Sequence, residues 1–429
     1  MSLPTPVAHP APVPLAVQIG YASGNLGKSI LWSSFESFLL FYLVTIAGFS
    51  AWLAGGVLAA AMIWDGLADL GVAYLTDRQG RPEALARLVL VGAPLGAFGF
   101  WLTFAPATGG AWPAVVAAIL LCRLGYTLCD IGHNTLLVRV ANGPKAASLV
   151  SGLRLIFSAM GGALVGLAAA KLLGIRDPEA QRNAFGGCAA IAGACYLVTL
   201  LIAVGASRRL PGPTRPTPQA GGERLLRSLW RRREYRLLLA LIALQASLLP
   251  AFNRALPFFG TAVKGDSAWS GYALATITLA QSLSLPLWML ASRRHGPARL
   301  LASAHVLAVL AMGVLAALAI WGDGGGSVVA LAMLGMAQAG MNMAIWALLA
   351  LSIQSQAASG TRLEALPVGL FLAVLKCAAG LGNTAIAALV GGFSTLLYVA
   401  AAAIALPVLG CVGVLALLLL NRDRARIVL

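Results

Sequence analysis

Nine ionisable residues sit inside stretches of chain that are otherwise apolar: Lys28, Glu36, Asp65, Asp69, Arg123, Asp130, Arg154, Arg254 and Lys376. Asp65 and Asp69 are four residues apart, so on a helix their carboxylates share one face. Such a pair can carry a proton, or its oxygens can replace part of the water shell of a sodium ion. It is the candidate site for a monovalent coupling cation. Lys28, Asp130, Arg154 and Lys376 supply both signs of charge, which suits a small polar or anionic solute. At a lipid-facing helix centre each of the nine would cost about 2.5–3.5 kcal/mol. Together that is roughly 25 kcal/mol, against a net stability of ~5–15 kcal/mol for a typical protein. They must face one another or water, and a shared polar cavity is the simplest arrangement.

The spacing of their neighbours agrees. Asn25, Lys28, Ser29, Trp32, Ser33 and Glu36 recur at three and four residues and form one helical stripe. Arg123, Thr127, Asp130 and Asn134 form a second, and Ser151, Arg154 and Ser158 a third. Lys376, Gly380, Asn383 and Thr384 make a fourth, with a milder one at Gln338, Asn342 and Trp346. Ion pairs that only tie helices together, for instance Asp130 with Arg154, would satisfy any one charge. They do not require so many charges in so few spans.

Other signals carry less. GNLGKS (Gly24 to Ser29) lacks the first glycine of a phosphate loop, since position 22 is Ala22, and no strand precedes it. His133 and His305 are isolated and read as packing residues. The six cysteines lie in apolar stretches without metal-ligand spacing. Gly162 and Gly166 form a small-x-x-x-small pair of the kind that lets helices approach. Pro250, Pro257, Pro286 and Pro367 fall within spans and predict kinks.

The elements that must position these groups are membrane helices. The chain is 59% hydrophobic and 10% charged, with a mean hydropathy of +0.86. Apolar runs of roughly 20 residues or more, enough to cross the hydrocarbon core, lie at 19–46, 51–75, 87–105, 112–139, 148–173, 184–207, 236–261, 269–291, 300–321, 328–355, 363–392 and 396–420. The breaks on one side hold Arg78, Arg81, Arg87, Arg139, Lys145, the arginines from Arg208 to Arg236, Arg293, Arg294, Arg299, Arg362 and the tail. The other side has only Lys171, Arg176, Arg182 and Lys264. This asymmetry predicts that both termini are cytoplasmic. It also explains the excess of 30 basic over 14 acidic residues without a nucleic-acid partner.

The expected fold is all-α and integral to the membrane, with twelve spans in two six-helix bundles. Residues 1–207 and 236–429 form the bundles. Residues 208–235 form a basic cytoplasmic linker whose second half, from Glu223, reads as an amphipathic helix on the inner leaflet. The N-terminal lead-in to Leu15 is Pro-rich and lacks the charged start of a signal peptide. LTDRQGRPEALARL (Leu75 to Leu88) and ASRRHGPARLL (Ala291 to Leu301) occupy equivalent places in the two halves, as in transporters built from repeats.

IWDGLADLGVAYLTDRQGRP (Ile63 to Pro82) resembles the second-helix signature of the glycoside–pentoside–hexuronide:cation symporters, the melibiose permease group of the major facilitator superfamily. The likeness continues through GNLGK at Gly24, GYTLCDIG from Gly125, Arg154 in SGLRLIF, Ile345–Trp346 and the Glu364-to-Lys376 segment. The resemblance implies a major facilitator fold with alternating access and cation-coupled solute uptake. It implies that Asp65 and Asp69 serve the cation, Na+ or H+, and that Thr127 lines the same site. Lys28, Asp130, Arg154, Trp346 and Lys376 match substrate-side positions. Asn134 stands where the family has a sugar-stacking tryptophan, Ser29 replaces a hydroxyl-accepting aspartate, and Ala68 replaces an asparagine beside the cation. The acidic pair usual near the end of the tenth span has become Ser355 and Ala358.

Together these readings imply a monomeric carrier in the inner (cytoplasmic) membrane that needs no cofactor beyond its coupling ion and has no catalytic residues. Movement of a lipid or amphiphile by the same fold is the alternative. A non-transporting membrane receptor is the alternative from a different class.

Overall fold

The computed structural model describes residues 13–79, 81, 83–105, 111–172, 175–210, 227, 229–249, 251–262, 269–321, 326–358, 363–392 and 401–421. Most of the linker with its expected amphipathic helix, most of the N-terminal lead-in, Lys264, Arg362 and the tail arginines lie outside these residues. So do the side chains of Glu36, Arg254, Asn383 and Thr384.

Every regular element among the described residues is helical. In chain order they are α1 (Leu15–Phe41), continued by a π-turn (Tyr42–Ile46), α2 (Ala51–Gln79), α3 (Ala84–Phe104), α4 (Trp112–Val140), α5 (Gly143–Leu172) and α6 (Pro178–Ser207). After the linker come α7 (Arg233–Leu248), α8 (Ala251–Ala262), α9 (Trp269–Ala291), α10 (Pro297–Trp321), α11 (Gly326–Ala358) and α12 (Ala365–Gly392). A second π-turn (Ala401–Ala405) leads into α13 (Leu406–Leu420). Helix lies on each of the twelve apolar runs, and ten helical stretches among the described residues are long and apolar enough to cross a membrane. Large apolar side chains point away from the protein, Leu283 at 76% and Ile191 at 73% exposure. That distribution suits hydrocarbon as the surrounding solvent.

The prolines act differently from one another. The seventh run breaks between α7 and α8, where Pro250 lies, although Pro250 itself and the side chain of Pro257 are outside the described residues. Pro286 is carried inside α9, and Pro94, which the sequence reading did not single out, inside α3. Pro367 makes no kink because it sits in the first turn of α12, where its missing N–H would have no helical partner.

Close helix contacts are made by glycine. On α4, a Cβ added to Gly125 would lie 2.2 Å from the backbone N of Gly96 on α3 and 2.7 Å from the carbonyl of Gly92. On α1, a Cβ at Gly27 would meet the Tyr196 backbone of α6 at 2.4 Å. The glycines expected to pack α5 closely do not. Nothing lies within 4 Å of a Cβ at Gly166, and Gly162 comes only to 3.9 Å from Ser33. Their neighbour Gly161 makes the contact instead, 2.7 Å from the Leu26 carbonyl, because it is the glycine turned towards α1. Backbone cannot yield as a side chain can, so Gly125→Val should lower the stability of detergent-purified protein by about 3 kcal/mol or more. An unchanged thermal unfolding midpoint for Gly125→Val would show that α3 and α4 are not held this closely.

Helices before the linker pack mainly on one another, α1 against α5 and α6 and α3 against α4 and α6. Those after it do likewise, α11 against α9 and α10 and α12 against α7. The two groups meet where α2 and α4 touch α12 and where α5 touches α9 and α11. These seams carry the charged residues.

Candidate functional site

Helix spacing turns the α1, α4 and α5 stripes towards one another. Lys28 on α1 lies 2.5 Å from Asp130 on α4 and donates to the side-chain oxygen of Asn134 at 3.0 Å. Asn134 in turn donates to Asp130 at 2.7 Å, one helical turn back. Arg154 on α5 donates to Asn134 at 2.5 Å and to Asn25 at 3.1 Å, and Asn25 donates to Ser158 at 3.2 Å. The Arg154 guanidinium also lies over the Trp346 ring of α11, 4.4 Å from its centroid. Asp130 therefore pairs with Lys28 and not with Arg154, the pairing offered as an example from sequence. Arg154 meets neutral amides, and among the described residues it makes no ion pair.

The α2 carboxylates share a face and are both buried, as their spacing predicts. They do not close on each other around open space. Each is engaged by a tethered cation from another helix, Asp65 by Arg123 of α4 at 2.8 Å and Asp69 by Lys376 of α12 at 2.5 Å. The reason is electrostatic, since a buried carboxylate is tolerated only when partnered. One oxygen of each, Asp65 Oδ1 and Asp69 Oδ1, is buried with no hydrogen-bond partner among the described residues, and so is Thr127 Oγ1.

A cavity of about 220 Å³ lies across the seam, and of the α2 site and its partners only Lys376 reaches its lining. Lys28, Asp130, Asn134 and Arg154 form its wall on the first half, and Trp346 and Lys376 on the second. Lys376 belongs to both places, because it lines the cavity and holds Asp69. Lys28, Arg123, Arg154 and Lys376 face Asp65, Asp69 and Asp130, so the described cluster has one positive charge in excess.

Further polar groups surround this site, some of them not singled out from sequence. Gln245, Asn253, Gln281, Gln338 and Asn342 line a second cavity of about 350 Å³ in the later half, and Leu375 borders both cavities. Gln338 and Asn342 stood out as a mild stripe, whereas Gln245, Asn253 and Gln281 were visible only as amides within apolar runs. At the end of the molecule rich in basic residues, Arg139 of α4 forks onto Glu364 just before α12, with a closest approach of 2.6 Å. Asp77 of α2 accepts from the backbone N–H groups of Glu364, Ala365 and Leu366 at 3.2, 3.0 and 2.6 Å. It thereby caps α12 from the opposite half. His133 has the packing role expected of it. Its Nε2 lies 2.9 Å from the Tyr21 carbonyl, the Tyr21 hydroxyl donates to the His133 carbonyl, and the rings stack at 4.4 Å.

Two groups of packed apolar helices with a charged chamber on the seam between them define a multi-pass membrane transporter of the major facilitator type. The chain belongs to the MFS/sugar transport protein family, whose sequence profile matches residues 20–418. The family-level likeness read from the motifs is thus borne out. Over 174 residues the chain is 23% identical to the uncharacterized symporter YnaJ of Bacillus subtilis (strain 168), a match over 36% of this chain and 34% of that relative's length. Among solved structures it is similar to the E. coli fucose:proton symporter FucP, with a TM-score of 0.71 at 13% identity over 95% of this chain and 97% of that one. It is also similar to the proton:xylose symporter XylE, at 0.65 and 14% over 95% and 94%. A bacterial homologue of the iron transporter ferroportin in its outward-facing state matches at 0.69 and 12% over 94% and 99%. At these identities the shared property is the fold.

Proposed function

We propose that the protein is a cation-coupled symporter of the inner membrane, moving a small polar or anionic organic solute by rocking two six-helix bundles, residues 1–207 and 236–429, about the central chamber. In this reading Asp65, Asp69 and Thr127 bind the coupling ion, H+ or Na+. Lys28, Asp130, Asn134, Arg154, Trp346 and Lys376 bind the solute. The observation that carries it is the double position of Lys376, in contact with Asp69 and exposed to the solute cavity. An ion arriving at Asp69 competes with Lys376 and frees its ammonium for the solute, which links the two binding events. The surplus positive charge and Arg154, which meets no carboxylate among the described residues, favour a solute bearing a carboxylate or phosphate. The basic end, latched through Arg139, Glu364 and Asp77, is cytoplasmic by its charge.

Uptake into proteoliposomes, across a panel of neutral glycosides and carboxylated or phosphorylated solutes, tests this. Sodium and proton gradients are imposed separately. An anionic solute should accumulate under at least one gradient, and exclusive transport of uncharged glycosides would retire the anionic assignment. One observation favours the lipid or amphiphile reading: a mainly apolar cavity of about 280 Å³ lined by Phe100, Phe104, Leu164 and Phe185. It contains none of the charged residues, whereas the seam cavity is lined by Lys28, Asp130, Arg154 and Lys376. That contrast supports the polar solute.

A further inference from the structure

A covalently tethered cation already stands at the first of the two α2 carboxylates. Arg123 reaches Asp65 from α4, and the two residues are only 6% and 4% exposed. The guanidinium lies 4.8 Å from the Phe35 ring centroid and 5.6 Å from that of Trp32, so two aromatic faces of α1 hold it in place. Asp69 has one oxygen engaged by Lys376 in the same way. Among the described residues, what remains without a hydrogen-bond partner is one oxygen on each of Asp65, Asp69 and Thr127. Ala68, between the two carboxylates, adds none.

Sodium and a proton place different demands on such a site. A proton needs one carboxylate oxygen, and both carboxylates have one to spare. A sodium ion needs a shell of oxygens to replace its water, and here it would have to assemble that shell beside a guanidinium and an ammonium. At an effective dielectric of about 20, a fixed unit charge about 4 Å away weakens the binding of either ion by on the order of a thousandfold. What separates the two is that sodium needs the space the guanidinium fills and several oxygens around it, and a proton needs neither.

We propose that Arg123 is an ion-selectivity residue: its guanidinium takes the place at Asp65 that sodium would occupy, which excludes sodium and leaves the proton as the coupling ion. The proposal rests on the reading of Asp65, Asp69 and Thr127 as the coupling-ion site. Arg123 touches no solute in this scheme and acts through Asp65.

The test is equilibrium dialysis of the full chain, purified in detergent, against radiolabelled sodium with choline as the replacement cation. It needs no knowledge of the solute. The wild type should show no saturable sodium binding. Arg123→Gln should bind one sodium per chain, tighter by on the order of a thousandfold, and Arg123→Gln/Asp65→Asn should lose it again. Arg123→Lys keeps the charge and should keep the exclusion. Arg123→Met is a second neutral variant should glutamine impair folding, and size-exclusion profiles identify the folded proteins. Saturable sodium binding by the wild type that Asp65→Asn removes overturns the exclusion while leaving the ion site intact. Folded neutral variants that still bind no sodium overturn it as well. The ion-site reading fails by a different result, gradient-driven accumulation that survives loss of Asp69.

Discussion

Solute accumulation driven by an ion gradient should fall to the passive level in Asp69→Asn, by the geometry of Asp69 and Lys376. The Asp69 side chain is fully buried, lies 2.5 Å from the Lys376 ammonium, and belongs to the helix seam between the halves. Asparagine keeps the shape but can neither take up a proton nor offer a full negative charge, so on the proposed ion-site reading solute and ion gradients should become uncoupled. It also strands Lys376, and breaking a buried pair from one side costs about 3–5 kcal/mol. Lower stability could mimic lost coupling, and a double variant separates the two. Asp69→Asn/Lys376→Met leaves no stranded charge, so its thermal unfolding midpoint should recover towards wild type while concentrative uptake stays absent. Asp65→Asn should likewise lose accumulation, because it removes the other carboxylate of the site. Normal accumulation in both single variants would mean that the ion binds elsewhere.

Gly369→Val should open the latch of Arg139, Glu364 and Asp77. Gly369 lies on α12 where it crosses α2. A Cβ there would sit 2.4 Å from that of Ala73 and 3.0 Å from the Asp69 carbonyl. Neither group can rotate away, so the added side chain pushes the halves apart at this seam. Overpacking of this kind costs about 1–3 kcal/mol, roughly a 5- to 150-fold shift towards the opened arrangement. The readout lies a turn away, in the backbone N–H groups of Ala365 and Leu366 that Asp77 accepts. Their hydrogen exchange should quicken by that factor, while amides in α3 and α6, which pack on helices of their own half, stay protected. Unchanged exchange at Ala365 and Leu366 would show that α2 and α12 tolerate a wider crossing with the latch closed.

Much of this was legible in the chain before any coordinates. Apolar runs of spanning length dictated helices, because backbone in hydrocarbon must bond to itself. The cost of charge in lipid dictated that Lys28, Asp130, Arg154 and Lys376 turn inward, and the helical period dictated which residues share a face. That logic also places Asp65 and Asp69 side by side. What it could not supply is the partner of each charge. Periodicity orders residues around one helix but says nothing about which neighbour that face meets or at what rotation. Lys28 taking Asp130, Arg154 being left to amides, and Arg123 and Lys376 claiming the two aspartates were all decided by helix crossings in three dimensions. Those crossings depend on contacts such as Gly125 on Gly96 and Gly161 on Leu26, which are set by the summed shape of two surfaces and not by any local pattern. The latch of Arg139, Glu364 and Asp77 is of the same kind, since it joins residues more than two hundred positions apart that only the packing of the halves brings into reach.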